Sequence, residues 1–250
     1  MGVQRRSMQS TLEAPRSGAI LAMPSRRTSR RRVARTRSGS ARRTQSFQSD
    51  DRPKLLIVAG PNGSGKTTVF QSTIVQDIGR AIWIINPDLL AARIQAVEVL
   101  GARAANLESV RRIEKWLRAS INAHQTIGVE TVLSTAKYRK LVRSAKKKGF
   151  EIVLVYVMLK SPKLNIARVA LRVRKGGHDV PVKKILGRLV RSLRQLPWFL
   201  WQADVAWFYD NSSATPRLIG TKIDGRFRLE SNALPEIKKA VTVATGMSGR

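Results

Sequence analysis

From residue 53 onward the chain alternates two hydrophobic patterns. Short continuous apolar runs at Lys54–Ala59, Ile82–Asn86, Ile127–Leu133, Ile152–Leu159 and Val205–Tyr209 are rich in Val, Ile or aromatic residues. Such runs predict strands buried on both faces. Mixed stretches between them predict helices over Lys66–Ile78, Asp88–Val99, Ala104–Ala123, Lys137–Lys147, Pro162–Lys175 and Pro181–Leu196. Residues 217–229 add short strands, and Pro235–Ala244 a final helix. Strand and helix in alternation imply an α/β fold, a three-layer sandwich with a central parallel sheet. Right-handed crossovers then bring the C-terminal ends of the strands to one edge. The expected domain spans residues 53–245, and no apolar run approaches the 18 residues of a membrane span.

The first 50 residues break this pattern. They hold 12 Arg, no Lys and two acids, with few large apolar groups, and so cannot bury enough surface to offset ordering entropy. We read them as a disordered Arg/Ser-rich tail. Three roles remain open for it: a basic arm that holds nucleic acid, a targeting peptide, or residues ahead of a later start such as Met23.

The strand Lys54–Ala59 runs directly into Gly60–Pro61–Asn62–Gly63–Ser64–Gly65–Lys66–Thr67–Thr68 and then a helix. This is the P-loop pattern in its required strand-to-helix context. Its glycines let backbone N–H groups converge on phosphates, and the helix N-terminus adds its dipole. All nine residues are therefore candidate ATP-binding residues, with Lys66 for the β/γ-phosphates and the Thr67 hydroxyl for Mg²⁺. Asn86–Pro87–Asp88 follows the second strand at the same edge. Asp88 is either a base that takes a proton from an attacking hydroxyl or the N-cap of the next helix. Glu130, near the end of the third strand, is a candidate for substrate hydroxyls or for Mg²⁺ through water, or else an ordinary ion pair.

Further on, Arg168, Arg172 and Arg174 lead into Gly176–Gly177–His178, and Arg188 and Arg191 follow on the next helix. Two arginine-bearing helices joined at a Gly-Gly hinge suit a lid that closes over a transferring phosphoryl group. Arg168 and Arg172 are four apart, on one face. Leu196–Trp201 reads as packing or a partner-facing patch. Asn211 is either a contact to the nucleotide base or a turn residue. No Walker-B acid follows Ile152–Leu159 and there is no Leu-Ser-Gly-Gly-Gln signature, which disfavours a motor or transporter ATPase.

Taken together, Ala59–Thr68, Asn86–Pro87–Asp88, Glu130–Thr131, Arg172–Pro181, Arg188 and Asp210–Asn211–Ser212 resemble the zeta-toxin-like family over about residues 53–222. The resemblance implies a P-loop kinase that uses ATP and Mg²⁺ to phosphorylate the 3′-hydroxyl of the sugar in UDP-N-acetylglucosamine. Carried across, Asp88 is the general base, Lys66 and Thr67 hold phosphates and Mg²⁺, and Arg172 and Arg188 are lid arginines. Glu130 becomes a substrate-binding carboxylate, with Glu114 as a second. The resemblance also implies an antitoxin partner. The family often shows Glu-Gly-Thr where this chain has Glu130–Thr131–Val132, and an arginine where Ser134 stands, so substrate recognition departs from the pattern more than ATP binding does.

Charge adds a competing expectation. The formal net charge is +31, of which residues 51–250 carry +21. So basic a chain suits polyanions, and a nucleic-acid-binding NTPase or polynucleotide kinase is the alternative reading, with the tail as the first candidate contact. There is no cysteine, and the only histidines are His124 and His178. Disulfides and thiolate metal sites are thereby excluded, two histidines disfavour a His-rich metal centre, and a cytoplasmic location is the expectation.

Overall fold

A computed structural model describes residues 52–71 and 84–248. The basic tail lies outside the described residues. Among the described residues seven strands form one sheet: β1 (Lys54–Ala59), β2 (Ile84–Ile85), β3 (Ile127–Thr131), β4 (Glu151–Met158), β5 (Val205–Asp210), β6 (Arg217–Ile223) and β7 (Arg226–Leu229). Their order is β2-β3-β1-β4-β5-β6-β7. The helices are α1 (Lys66–Val69), α2 (Pro87–Glu98), α3 (Ala102–Asn122), α4 (Arg139–Lys147), α5 (Pro162–Arg174), α6 (Val182–Gln202) and α7 (Pro235–Ser248). The expected remainder of the first helix, through Ile78, falls largely outside the described residues.

β2, β3, β1, β4 and β5 run parallel, as the alternating pattern implies. The short strands expected over residues 217–229 join one edge of this parallel sheet as β6 and β7, which run antiparallel. Connection length explains this. Residues 211–216 are too few for a crossover, which takes a dozen or more, so β6 must turn back along β5. Asp224 and Gly225, with φ of 51° and 74°, then close a tight hairpin into β7.

The central strands are buried on both sides, and their period of two divides them between two cores. Leu55, Ile57 and Ala59 of β1 and Ile152, Leu154, Tyr156 and Met158 of β4 face the larger core, which α3, α4, α6 and α7 cover. Leu56 and Val58 join Val153, Val155 and Val157 on the other face, where Val69 of α1 packs. β1 lies between β3 and β4, so the crevice above its C-terminal end opens at the switch point of the sheet.

One helix is longer than its pattern predicts. α6 was expected to end at Leu196, ahead of Pro197, yet it continues to Gln202 with Pro197 inside it. A proline there forfeits an intrahelical hydrogen bond. Burial of Leu196, Pro197, Trp198, Phe199 and Leu200 in the larger core offsets that loss. Lys222 of β6, itself buried, donates to the carbonyls of Leu200, Trp201 and Ala203 and so caps the end of α6. Burial pushes the Lys222 ammonium below the ordinary lysine range.

Candidate phosphoryl-transfer site

Gly60, Gly63 and Gly65 have φ of 146°, 74° and 82°. Space as well as torsion demands glycine at each. A Cβ on Gly60 would lie 2.1 Å from the Val157 carbonyl oxygen, one on Gly63 2.5 Å from that of Asn165, and one on Gly65 2.3 Å from Asn211 Nδ2. Two asparagines fasten the loop from outside. Asn165 Nδ2 donates to the Asn62 carbonyl at 2.7 Å, and Asn211 Nδ2 to the Ser64 carbonyl at 2.8 Å. Ser64 Oγ is buried within the loop without a partner.

Lys66 opens α1, is buried, and donates to the Pro61 carbonyl at 3.2 Å. Burial lowers its ammonium below the usual lysine value; Glu130 and Asp88 oppose that shift, and Arg172 and Arg188 add to it. Four charged side chains from β3, α2, α5 and α6 therefore bear on the Lys66 ammonium. Glu130 is the local hub. Its carboxylate accepts from Thr67 Oγ1 at 2.7 Å and Asn86 Nδ2 at 3.1 Å, and it lies 3.8 Å from Lys66 Nζ. Pairing β3 directly beside β1 places Glu130 opposite Val58, two residues before the loop. Thr68 is exposed on the first turn of α1.

Asp88 is not the N-cap of α2. Asn86 fills that role, its side chain accepting from the N–H groups of Asp88 and Leu89. Asp88 sits in the first turn, exposed. It borders a cavity of about 420 Å³ that is also lined by Asn106, Ser109, His178, Asp179 and Arg188. Arg188 Nη1 reaches back to Asn62 Oδ1 of the P-loop at 3.4 Å.

Arg172 and Arg168, expected on one face of α5, behave differently. Arg172 folds onto the hinge, donating to the His178 carbonyl at 2.7 Å while its Nε is buried and unpartnered. A Cβ on Gly177 would lie 2.6 Å from Arg172 Cγ, so the hinge glycine makes room for that fold. Arg168 reaches the P-loop instead, its Nη1 3.7 Å from where a Gly65 Cβ would stand. Glu114 is not among the residues lining the Asp88 cavity. It lines a separate groove of about 490 Å³ between α3 and α4, with Lys137 and Tyr138.

Sequence reasoning missed the clamp roles of Asn165 and Asn211. A signal for Asn165 existed: an amide on the buried face of α5, four positions before Val169. Nothing at Asn211 distinguished a clamp from a turn residue. The leucine after β3 was also unforeseen. Leu133 has φ 58° and is buried, its N–H bonded to Thr131 Oγ1, so the expected strand stops at Thr131.

Comparison with known proteins bears on this arrangement. A chain of the AvrRxo1-ORF1:AvrRxo1-ORF2 complex crystallised with sulphate ions superposes with a TM-score of 0.58 at 18% identity, covering 76% of this chain and 64% of that one. The present chain thus spans somewhat less than two thirds of that protein. A chain of the PezAT chromosomal toxin-antitoxin system of Streptococcus pneumoniae gives a TM-score of 0.51 at 19% identity, covering 69% and 74%. Both likenesses speak to the fold. An uncharacterized protein of Haemophilus influenzae is 29% identical over 129 residues, 51% of this chain and 86% of the relative. The Zeta toxin family model matches residues 38–199, well over half of the sequence, and the chain belongs to that family.

Proposed function

We propose that this protein is an ATP- and Mg²⁺-dependent kinase that phosphorylates a hydroxyl of a small-molecule acceptor, with UDP-N-acetylglucosamine the leading candidate. One observation carries the reading: a single cavity has Asp88 on its wall and also Arg188, which hydrogen-bonds to the P-loop at Asn62. An acceptor there lies between a base and the phosphate-binding loop. Its hydroxyl attacks the γ-phosphorus, the proton passes to the Asp88 carboxylate, and the bond to the β–γ bridging oxygen breaks to release ADP. Lys66 and the loop N–H groups hold the phosphates. Arg172 and Arg188 neutralise charge that builds on the transferring group, and lid closure excludes water.

Thr67 Oγ1 and the Glu130 carboxylate offer two hard oxygen donors 2.7 Å apart, which fits a cation that completes its shell with phosphate oxygens and water. When bound there, Mg²⁺ supplies charge neutralisation of the β/γ-phosphates. The catalytic domain in this proposal is residues 53–245. The PezAT and AvrRxo1-ORF1:AvrRxo1-ORF2 likenesses support a protein partner, tested by co-purification with the product of the neighbouring gene.

The test is transfer of labelled γ-phosphate to a panel of UDP-sugars, other small alcohols and a 5′-hydroxyl oligonucleotide. Asp88→Ala should lower turnover by about 10²–10⁴ while ATP affinity stays nearly constant. Full turnover in that variant would remove Asp88 as the base. Transfer to the oligonucleotide alone would replace the small-molecule reading with the polynucleotide one.

A further inference from the structure

The basic character of the chain is not confined to the nucleotide site. α4 reads Arg139–Lys140–Leu141–Val142–Arg143–Ser144–Ala145–Lys146–Lys147. At 3.6 residues per turn, its five cations fall within an arc of about 120°, spread over about 12 Å of helix. That is about one cation per 3 Å, comparable with the phosphate spacing along one strand of a nucleic-acid helix. Val142 and Ala145 face the core, so the arc is the outward side.

Among the described residues only one carboxylate meets this row. Lys146 lies 3.4 Å from Asp204 Oδ1 and donates to the Gln202 carbonyl at 2.8 Å. Arg139 bonds Gln195 Oε1 at 3.1 Å, and the guanidinium carbons of Arg139 and Arg143 sit 4.9 and 5.4 Å from the ring centre of Trp198. Trp198 thus orders two of the cations without neutralising either. One turn further along α6, Trp201 is 40% exposed. The row ends at Asp204, just before β5, on the edge of the sheet opposite the P-loop.

We propose that the outer face of α4, with Trp201, binds single-stranded nucleic acid: phosphates along Arg139, Lys140, Arg143, Lys146 and Lys147, and a base stacked on the indole. A row of cations with an exposed aromatic residue on the neighbouring helix supplies the two components of sequence-tolerant single-strand sites. A lipid surface suits the patch poorly, because the apolar side of α4 faces the protein core and leaves nothing to insert. This surface is independent of the kinase proposal and of the basic tail.

The test uses the full chain and fluorescence anisotropy with a labelled 20-nucleotide RNA and the DNA of the same sequence. Arg143→Glu/Lys147→Glu should weaken binding at least about tenfold and reduce the slope of log K against log salt by about 1.4, the share of two phosphate contacts. ATP affinity should not move. Trp201→Ala should cost about fivefold on the single strand and less on a 20-base-pair duplex. Should the double Glu variant fail to fold by circular dichroism, Arg143→Gln/Lys147→Gln gives the same readouts with a smaller fall. Cross-links from a 4-thiouridine RNA should map to residues 139–147 or 201. Unchanged affinity and salt slope, cross-links confined to residues 1–51, tighter binding to duplex, or retention on phosphatidylglycerol vesicles without oligonucleotide binding would each overturn the proposal.

Discussion

The two halves of α6 do different work. Its C-terminal half, Leu196 to Leu200, is buried in the large core beside Phe208 and Leu234, and Lys222 caps its end. Its N-terminal half buries Ile185 in a small cluster with Ile166, Val169 and Val180, and Leu189 and Ser192 are its other buried residues. Along that half Val182, Leu186 and Val190 remain exposed at four-residue intervals. In the proposed mechanism a deeply packed stem therefore carries a more lightly packed lid, with Pro197 near the junction. The lesson is that the arginines proposed to close over the phosphates are placed where little burial has to be undone, while the same helix is deeply packed where it supports the sheet.

Four experiments press on that division. The largest effect belongs to the lid arginines. Arg172→Ala or Arg188→Ala should lower turnover by about 10³ with little change in melting temperature. A large fall in thermal stability instead would mean that the lid is part of the stem. Next, Phe199→Ala should cost about 3–5 kcal/mol of stability in denaturant melts, with normal turnover per folded molecule.

Ile185→Ala makes the contrast within one helix. It should cost about 2 kcal/mol, expressed as faster amide exchange over residues 182–195 while 196–202 stay protected. Uniform acceleration along α6 would erase the distinction between stem and lid. The smallest effect is electrostatic. Burial lowers the Lys66 ammonium below 10.5, so its charge is lost at a lower pH than that of exposed lysines. If the charged form holds phosphate as proposed, ATP affinity measured calorimetrically should weaken with rising pH before exposed lysines lose their charge, and Lys66→Arg should flatten that dependence.

Much of the site was legible because its chemistry is local. The strand-loop-helix at residues 54–68 and the Asn86–Pro87–Asp88 turn carry their meaning in adjacent residues. What escaped depends on distant partners. Asn86 rather than Asp88 caps α2, a choice fixed by side-chain geometry and not by residue preference, since both types favour that position. Asn165 and Asn211 clamp the loop from 103 and 147 residues away, a relation no local pattern encodes. Pro197 signalled a helix end, and core burial overrode it. The antiparallel edge was foreshadowed by the short stretch between Asp210 and Arg217, although the alternation rule alone gave parallel strands.

The three loop glycines have a consequence for the order in which the protein is made. Each sits against an atom supplied later in the chain: Val157 from β4, Asn165 from α5 and Asn211 after β5. The motif is synthesised within the first third of the sequence, yet its final shape requires the chain through the end of β5. It follows that a nascent chain halted before Asn211 carries the loop's sequence without its geometry, and ribosome-stalled chains of that length should not be retained on immobilised ATP. Competence for nucleotide is thereby a late event in biosynthesis, timed by topology.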